Sequence, residues 1–152
     1  MAVERIEKHE GEFLVYNFEV SEAHDYYVGE EGVLTHNASA LRKAMRLNNP
    51  LLAAHHIVAL RAQGAAFARR LLLAPGTGIV NLNDVRNGVA LPKNLKVKPP
   101  PGFARATVHS VVHTRKYYAE LERRLLAVAP GQRVQVLQQA AHELRIGKFP
   151  YK

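Results

Sequence analysis

The 152-residue sequence contains no cysteine, which excludes disulfide bridges and every metal site built on thiolates, zinc fingers included. It has no apolar run near the ~20 residues that a membrane-spanning helix needs, so no membrane partner is expected. Residues 1–12 also lack the basic and then apolar arrangement of a secretory signal. The length suits one ordinary domain, or a small domain with an appendage.

Acidic residues are scarce over most of the chain, and the net charge is +8. Residues 1–37 contain two basic and nine acidic side chains, a net charge of −7, whereas residues 38–152 contain nineteen and four, a net charge of +15. So abrupt a change predicts two domains with different roles, residues 1–37 and residues 38–152. The second domain has the charge of a polyanion binder, for which nucleic acid is the expected partner. A basic surface that only confers solubility is the alternative.

β-Structure is predicted on both sides of the change in net charge after residue 37. Residues 13–20 are rich in β-branched and aromatic residues and predict a strand. Residues 26–28 and 33–35 flank a turn that begins and ends with glycine, which predicts a β-hairpin. In the basic domain, residues 89–91 predict a short strand, and residues 51–60 predict the end of a helix or a loop that enters a short strand.

The rest of the basic domain is predicted to be helical. Residues 38–47 and 62–73 predict two short helices. Thr107 can cap a long helix that runs to about Ala129, and a last helix follows Pro130-Gly131. Apolar residues at helical spacing predict the buried faces of these last two helices: Val111, Tyr118, Leu121, Leu125 and Val128 in the first, and Val134, Leu137, Ala141 and Leu144 in the second.

Four of the eight histidines form two tight pairs in the basic domain. His109 and His113 are four residues apart in the predicted long helix, so both imidazoles leave the same helix face and can bind one metal ion. His55 and His56 are adjacent, and on a regular strand they would point to opposite faces. Both can therefore reach one ion only where the backbone is irregular. The alternative makes one of them a buried, hydrogen-bonded core histidine.

Three segments of the basic domain resemble a known family. The order His-His, Asn-Gly-Val-Ala-Leu-Pro-Lys and His-x-x-x-His is similar to that of the HNH nuclease superfamily with its ββα-metal core, as in the colicin-type DNases. Ala54–Val58, Leu82–Val89 and His109–Tyr118 resemble, more narrowly, the AHH family of bacterial toxin nucleases, within about residues 51–126. The resemblance implies an α+β fold in which a ββα-metal core is embedded in several helices, with the N-terminal β-hairpin as an appendage.

The resemblance also implies the parts of an active site. Three histidines are implied to hold one divalent metal ion: His55, His109 and His113. His56 is implied to be the general base, although the roles of His55 and His56 can be exchanged. Asn87 would hold the ring of His56 by a hydrogen bond; Asn83 is the competing candidate, and ordinary Asn-Gly turn chemistry is the alternative for Asn87. Imidazole ligands favour zinc, nickel or manganese, and members of the family also work with magnesium.

The implied activity is that of a metal-dependent endonuclease that hydrolyses the phosphodiester bonds of DNA. The implied context is the C-terminal toxin of a bacterial polymorphic, secreted effector. Such a toxin is delivered by the producing bacterium, acts in the cytoplasm of the target cell and is neutralised by a cognate immunity protein. Basic residues that flank the histidines in sequence are expected to hold the nucleic-acid backbone without reading bases: Lys93, Lys96, Lys98, Arg105, Arg115 and Lys116.

Two alternative functions stay open. One is an RNase of the same fold. The other is a non-catalytic, basic nucleic-acid-binding module whose histidines hold a structural zinc ion. Structural zinc is closed by four protein ligands, so three histidines with an orienting asparagine fit an open catalytic site better.

The acidic segment resembles a second family. Val15–Val20, His24–Val28 and Gly32–Asn37 are similar to the last two blocks of an intein-like Hint domain in its pretoxin form. The resemblance implies cleavage of the chain after Asn37, with His36 and His24 assisting. The front half of a Hint domain is absent and Ala38 offers no nucleophile for splicing, so residues 1–37 are interpreted as a C-terminal remnant of a processing domain. A β-hairpin that only docks on the toxin is the preferred interpretation.

Overall fold

The computed structural model describes residues 25–28, 33–36, 39–96 and 98–152. Contacts divide the chain into two compact units, Met1–His36 and Asn37–Lys152. The division lies one residue before the change of charge.

The described part of the first unit is a two-stranded hairpin. Strand β1 (Asp25–Val28) pairs antiparallel with β2 (Val33–His36), which confirms the hairpin that the sequence predicts. The predicted strand at residues 13–20 lies outside the described residues, and so do His24 and Asn37.

The second unit contains five helices and two strands among its described residues. They follow the order α1 (Ser39–Ala44), β3 (Leu52–His56), α2 (Ala66–Leu72), β4 (Gly88–Pro92), α3 (His109–Val112), α4 (Arg115–Leu126) and α5 (Arg133–Arg145). Short 3₁₀ turns precede α2, β4 and α5, at Gln63–Ala65, Val85–Asn87 and Pro130–Gln132. No helix among the described residues is both long and apolar enough to cross a membrane.

Strands β3 and β4 form an antiparallel hairpin in which His55 lies opposite Val89 and His56 lies opposite Gly88. Gly88 is in extended backbone, with φ −114°, and its N–H donates to the carbonyl of Val85 at the end of the 3₁₀ turn. A Cβ at this position would lie 2.8 Å from Sδ of Met45 and 2.9 Å from Cδ1 of Leu41. Leu41 and Met45 would have to shift to admit a side chain here, so the glycine favours the close approach of α1 and the loop after it to the β3–β4 sheet. The turn predicted before this strand is confirmed by the 3₁₀ turn at Val85–Asn87.

The core of the second unit lies between the β3–β4 sheet and helices α2, α4 and α5. Its members are apolar side chains that alternate on the strands and recur at helical spacing on the helices. The fully buried leucines of helices α2, α4 and α5 are Leu72, Leu121, Leu125, Leu137 and Leu144. Arg133 is buried as well, and its guanidinium donates to the carbonyls of Leu125 (3.2 Å) and Leu71 (2.5 Å), which ties the three helices together. A two-stranded antiparallel sheet within several helices confirms the α+β, HNH-type fold.

The long helix predicted from Thr107 to Ala129 is wrong, because the chain breaks at His113 and Thr114 into α3 and α4. The hydroxyl of Thr114 accepts a hydrogen bond from the backbone N–H of Tyr117 (3.1 Å) and so caps a new helix. Thr107 caps nothing: it is buried, and its hydroxyl has no hydrogen-bond partner. Of the predicted buried stripe, Leu121 and Leu125 are confirmed, whereas Val112 and Tyr117 are fully buried in place of Val111 and Tyr118.

Candidate metal centre

The side chains of His55 and His56 lie on opposite faces of β3, as the two-residue period of a regular strand requires. His55 is completely buried and His56 is partly exposed. No irregular backbone is needed at this point, because only His55 belongs to the cluster of metal-ligating groups. The strand thus assigns the two adjacent imidazoles to different environments.

His109 and His113 complete the cluster from the other side. His109 is the first residue of α3, and His113 is the residue at which that helix ends, with ψ 70°. The ring centroids lie 5.3 Å (His55–His109), 4.9 Å (His55–His113) and 5.5 Å (His109–His113) apart. One nitrogen of each ring lies within 4.8 Å of the others. Burial decreases from His55 through His109 to the exposed His113, so the cluster opens to solvent on one side.

The hydrogen bonds of His55 identify the nitrogen that can bind a metal. The hydroxyl of Tyr117 donates its one proton to the carbonyl of Ile57 at 2.7 Å. It must therefore accept from Nε2–H of His55, which lies 3.1 Å away. The lone pair of His55 is then on Nδ1, which is buried and has no hydrogen-bond partner.

A buried, unpaired nitrogen costs about 1–3 kcal/mol, and a metal ion bound to Nδ1 of His55 would remove that cost. Burial, together with the neighbouring imidazoles of His113, His109 and His56, holds the pKa of His55 well below its usual range. The ring is consequently neutral, as a ligand must be. Burial also raises the pKa of Tyr117, which keeps the phenol protonated as a donor. The residues present therefore fit one divalent ion with imidazole ligands.

The ring of His113 has a hydroxyl partner of its own. Its Nδ1 lies 2.8 Å from the hydroxyl of Tyr118, and the two rings are inclined by only 29°. Tyr117 and Tyr118, which follow each other on α4, thus contact two different histidines of the centre.

His56 is held by Asn83, the competing candidate, whereas the side chain of Asn87, which is predicted to accept from the ring, bonds to backbone groups. Nε2 of His56 lies 2.9 Å from Oδ1 of Asn83, so the ring donates and the amide oxygen accepts. Asn83 is presented by a turn in which Oδ1 of Asn81 accepts from its backbone N–H at 2.8 Å. His56 therefore carries its proton on Nε2, which leaves the lone pair on Nδ1.

Asn87 has a structural role instead. It is completely buried. Its Oδ1 accepts from the backbone N–H of Val58 (2.8 Å), and its Nδ2 donates to the carbonyls of Val58 (3.0 Å) and Leu82 (2.9 Å). The backbone carbonyl of Asn87 also accepts from Ile57 N–H at 2.8 Å. Asn87 thereby fixes the segment that leaves β3 directly after the two histidines.

The six cations predicted to hold the nucleic acid are all exposed. Two of them adjoin the centre through the backbone: the carbonyl of Lys93 accepts from Ser110 N–H in α3 at 3.2 Å, and Arg115 begins α4 two residues after His113. The other four lie in the segment before α3 or on α4: Lys96, Lys98, Arg105 and Lys116.

Sequence reasoning missed both tyrosines of the centre. Tyr118 is predicted only as part of an apolar stripe, and Tyr117 is not singled out. A pair of tyrosines within five residues of His113 was the available signal, since a phenol is a hydroxyl partner that can reach an imidazole.

His36, a predicted processing residue, ends strand β2 opposite Asp25.

Of three comparisons with known proteins, one gives a match. Neither a search of curated proteins nor a search of solved structures finds a significant match. One family model matches residues 38–146, and its family is described as nucleases of the HNH/ENDO VII superfamily with conserved AHH. In this chain those three residues are Ala54, His55 and His56. The chain belongs to the AHH family of nucleases in the HNH/ENDO VII superfamily.

Proposed function

We propose that this nuclease is a metal-dependent endonuclease that hydrolyses the phosphodiester bonds of DNA. The observation that carries the proposal is the cluster of His55, His109 and His113, whose candidate ligand nitrogens lie within 4.8 Å of one another. Three protein ligands with solvent on one side are typical of a catalytic ion, whereas a structural zinc ion is closed by four.

The chain's own residues would divide the chemistry as follows. His55, through Nδ1, would hold the ion together with His109 and His113. A bound divalent ion supplies positive charge that stabilises the phosphoryl oxygens and the leaving oxygen of an in-line displacement. Zinc, nickel and manganese suit these ligands better than magnesium does.

His56 is the general base of the proposal. Asn83 accepts the Nε2 proton of His56, and so directs the basic lone pair to Nδ1. Histidine suits this task because the unperturbed pKa of the imidazole side chain, about 6.5, lets it accept a proton near neutrality. His56 would remove one proton from a water molecule, whose oxygen then forms the new bond to phosphorus as the ester oxygen leaves.

Exposed cations near the cluster support a polyanionic substrate. Lys93 and Arg115 adjoin α3 and α4 beside the histidines, and the domain from residue 38 onward has a net charge of +15. Contacts of this kind bind phosphates irrespective of sequence. We therefore expect little sequence preference and a steep dependence of binding on salt.

The test incubates the purified chain with supercoiled plasmid and, in parallel, with a structured RNA. Each reaction contains zinc, nickel, manganese, magnesium or a chelator. We expect nicking of the plasmid that a chelator abolishes and one of the metals restores. Cleavage of RNA alone would replace DNA by RNA as the substrate. Metal-dependent binding of plasmid without cleavage would instead favour a structural zinc module and contradict the proposal.

The biological setting is a further part of the proposal. A bacterial toxin delivered into the cytoplasm of a rival cell would need a cognate immunity protein, and an acidic partner would complement the +15 domain. Expression in the bacterial cytoplasm should stop growth, and His56→Ala should relieve the effect. Protection by a small acidic protein encoded beside the toxin would support the setting, and equal growth with and without active protein would contradict it.

Release of the basic domain by cleavage after Asn37 is the less favoured of the two interpretations of the N-terminal segment, and it can be tested. It is supported only by the resemblance of residues 15–37 to the end of a Hint domain. The intact mass of the purified chain after prolonged incubation tests it, with Asn37→Ala as the control. A mass that stays that of the full chain rejects the cleavage.

A further inference from the structure

The two hydroxyl contacts to the metal centre come from consecutive residues of α4. Neighbouring side chains on a helix point about 100° apart. Tyr117 is accordingly turned inward to His55, and Tyr118 lies over His113. The rings of the two tyrosines are themselves in contact, at 5.4 Å between centroids and 75° between planes. The helix therefore presents one phenol to each of two histidines.

A glycine fixes the place of the Tyr118 ring. A Cβ at Gly64 would lie 2.7 Å from Cδ2 of Tyr118, which is closer than such atoms approach, and 3.2 Å from its Cγ, which is a tight contact. Gly64 does not have a positive φ, so the backbone conformation does not require a glycine. The glycine is favoured instead by the packing of the Tyr118 ring against this position. Gly64 and Tyr118 also line the same surface groove, together with Arg115 and Leu126.

The two histidines differ in the nitrogen that meets a hydroxyl. Tyr117 contacts Nε2 of His55, whereas Tyr118 contacts Nδ1 of His113. A histidine ligand donates its second ring N–H to a hydrogen-bond acceptor, which fixes the tautomer and the ring orientation. A hydroxyl is a suitable acceptor, because its oxygen carries two lone pairs.

We propose that Tyr118 is a positioning residue for the metal centre: it accepts a hydrogen bond from Nδ1–H of His113 and directs the Nε2 lone pair of that ring to the ion. His55 would then bind through Nδ1 and His113 through Nε2, so the centre uses different nitrogens of the two rings. Gly64 acts through Tyr118 by leaving room for its ring. The inference rests on the metal centre of the proposed function, but not on the identity of the substrate.

The first test measures zinc affinity by calorimetry in the wild type, Tyr118→Phe and Tyr151→Phe. Tyr118→Phe keeps the ring and removes only the hydroxyl. Loss of such a partner weakens metal binding by roughly 10-fold to 100-fold. Tyr151→Phe removes a phenol of the same type from the C-terminal segment and should bind zinc as the wild type does. Equal affinity of Tyr118→Phe and wild type would overturn the proposal.

The second test reads the ring nitrogens directly. Two-bond ¹H–¹⁵N spectra of the zinc-loaded protein should show the proton of His113 on Nδ1 and that of His55 on Nε2. Binding of His113 through Nδ1 would overturn the proposal. These spectra report on the tautomer whether or not the protein cuts DNA, so a failure of the proposed function and a failure of this inference are distinguishable.

A double-mutant cycle tests the role of Gly64. Gly64→Ala should displace the ring of Tyr118 and weaken zinc binding by about as much as Tyr118→Phe does, roughly 10-fold. In the Tyr118→Phe background the same change should add little, because the hydrogen bond is already lost. Full additivity of the two losses in affinity would contradict an action through Tyr118. Thermal unfolding of each variant provides the check that the fold is retained.

Discussion

The two faces of strand β3 place adjacent imidazoles in opposite surroundings. On the inner face, His55 is fully buried among His109, His113 and Tyr117. On the outer face, His56 is partly exposed and held by Asn83. The difference teaches how one dipeptide can be suited to two chemical tasks, because the pleat of the strand separates the side chain that we propose as a metal ligand from the one that we propose as the general base.

Alanine substitutions of His55 and His56 should have the largest effects and should show whether the two faces of β3 have different roles. We expect His56→Ala to lower the cleavage rate by about 10²-fold to 10⁴-fold, the usual contribution of a general base, and to leave zinc affinity within about twofold. His55→Ala should instead lower zinc affinity itself, because it removes a ligand. Single-turnover cleavage and calorimetric zinc titration measure the two effects.

His142→Ala is the matched control for both changes, since His142 is exposed on α5. It should leave rate and affinity unaltered. If His56→Ala cuts DNA at the wild-type rate, the assignment of the base is wrong. If His56→Ala loses zinc and His55→Ala does not, the two histidines exchange roles.

Substitutions of Asn87 and Asn83 should have different effects, the first mainly on stability and the second mainly on the cleavage rate. Asn87→Ala removes three buried side-chain hydrogen bonds and should lower the free energy of unfolding by about 3 kcal/mol. Asn83→Ala should lower it by no more than about 0.5 kcal/mol, and yet slow cleavage roughly 10-fold because His56 loses its orienting partner. Urea unfolding and cleavage rates of both variants decide. A stable, inactive Asn87→Ala protein would restore Asn87 as the orienting residue.

Substitutions of the two threonines on either side of α3 should differ in their effect on the free energy of unfolding. Thr114 caps α4, so Thr114→Ala should lower the free energy of unfolding by about 1 kcal/mol. Thr107 is buried with an unpaired hydroxyl, so the nearly isosteric Thr107→Val should leave it equal or raise it by up to about 1 kcal/mol. Thermal unfolding measures both. The opposite order would mean that Thr107 starts the helix, as the sequence alone suggests.

The last comparison concerns the ion pairs that Glu120 forms with Arg123 and Arg124 on α4. Hydrogen bonds from Arg123 and Arg124 lower the pKa of Glu120 to about 2. Its ionised form therefore stabilises the fold above the ordinary pKa of 4.5, and this contribution is lost as the pH falls toward 2. Glu120→Gln should cost about 1 kcal/mol near neutrality, since exposed pairs are screened. It should also flatten the dependence of stability on pH between those values.

Glu122→Gln is the control, because Glu122 lies on the same helix outside this cluster of ion pairs. Urea unfolding at pH 7 and pH 3 gives the comparison. An unchanged slope in Glu120→Gln would assign the acid sensitivity to other carboxylates.

Much of the centre could be predicted from local rules. The spacing of His109 and His113, and the alternation that sends His55 and His56 to opposite faces, follow from backbone periods of 3.6 and 2. Those periods are properties of short segments, so they predict which imidazoles can meet. They do not predict hydrogen-bond partners that are distant in sequence, such as Tyr117, which lies 62 residues from His55.

The sequence by itself determined the position of the change in charge, the absence of thiolate ligands and the residue types of a three-histidine metal site. Only the tertiary structure decided that Asn83 rather than Asn87 holds His56, that Thr114 interrupts the helix, and that Tyr117 leaves the lone pair of His55 on Nδ1. The reason is physical. Composition and periodicity can be read directly from the sequence. Each of these hydrogen bonds, in contrast, depends on which competing donor or acceptor the fold brings within about 3 Å of its partner.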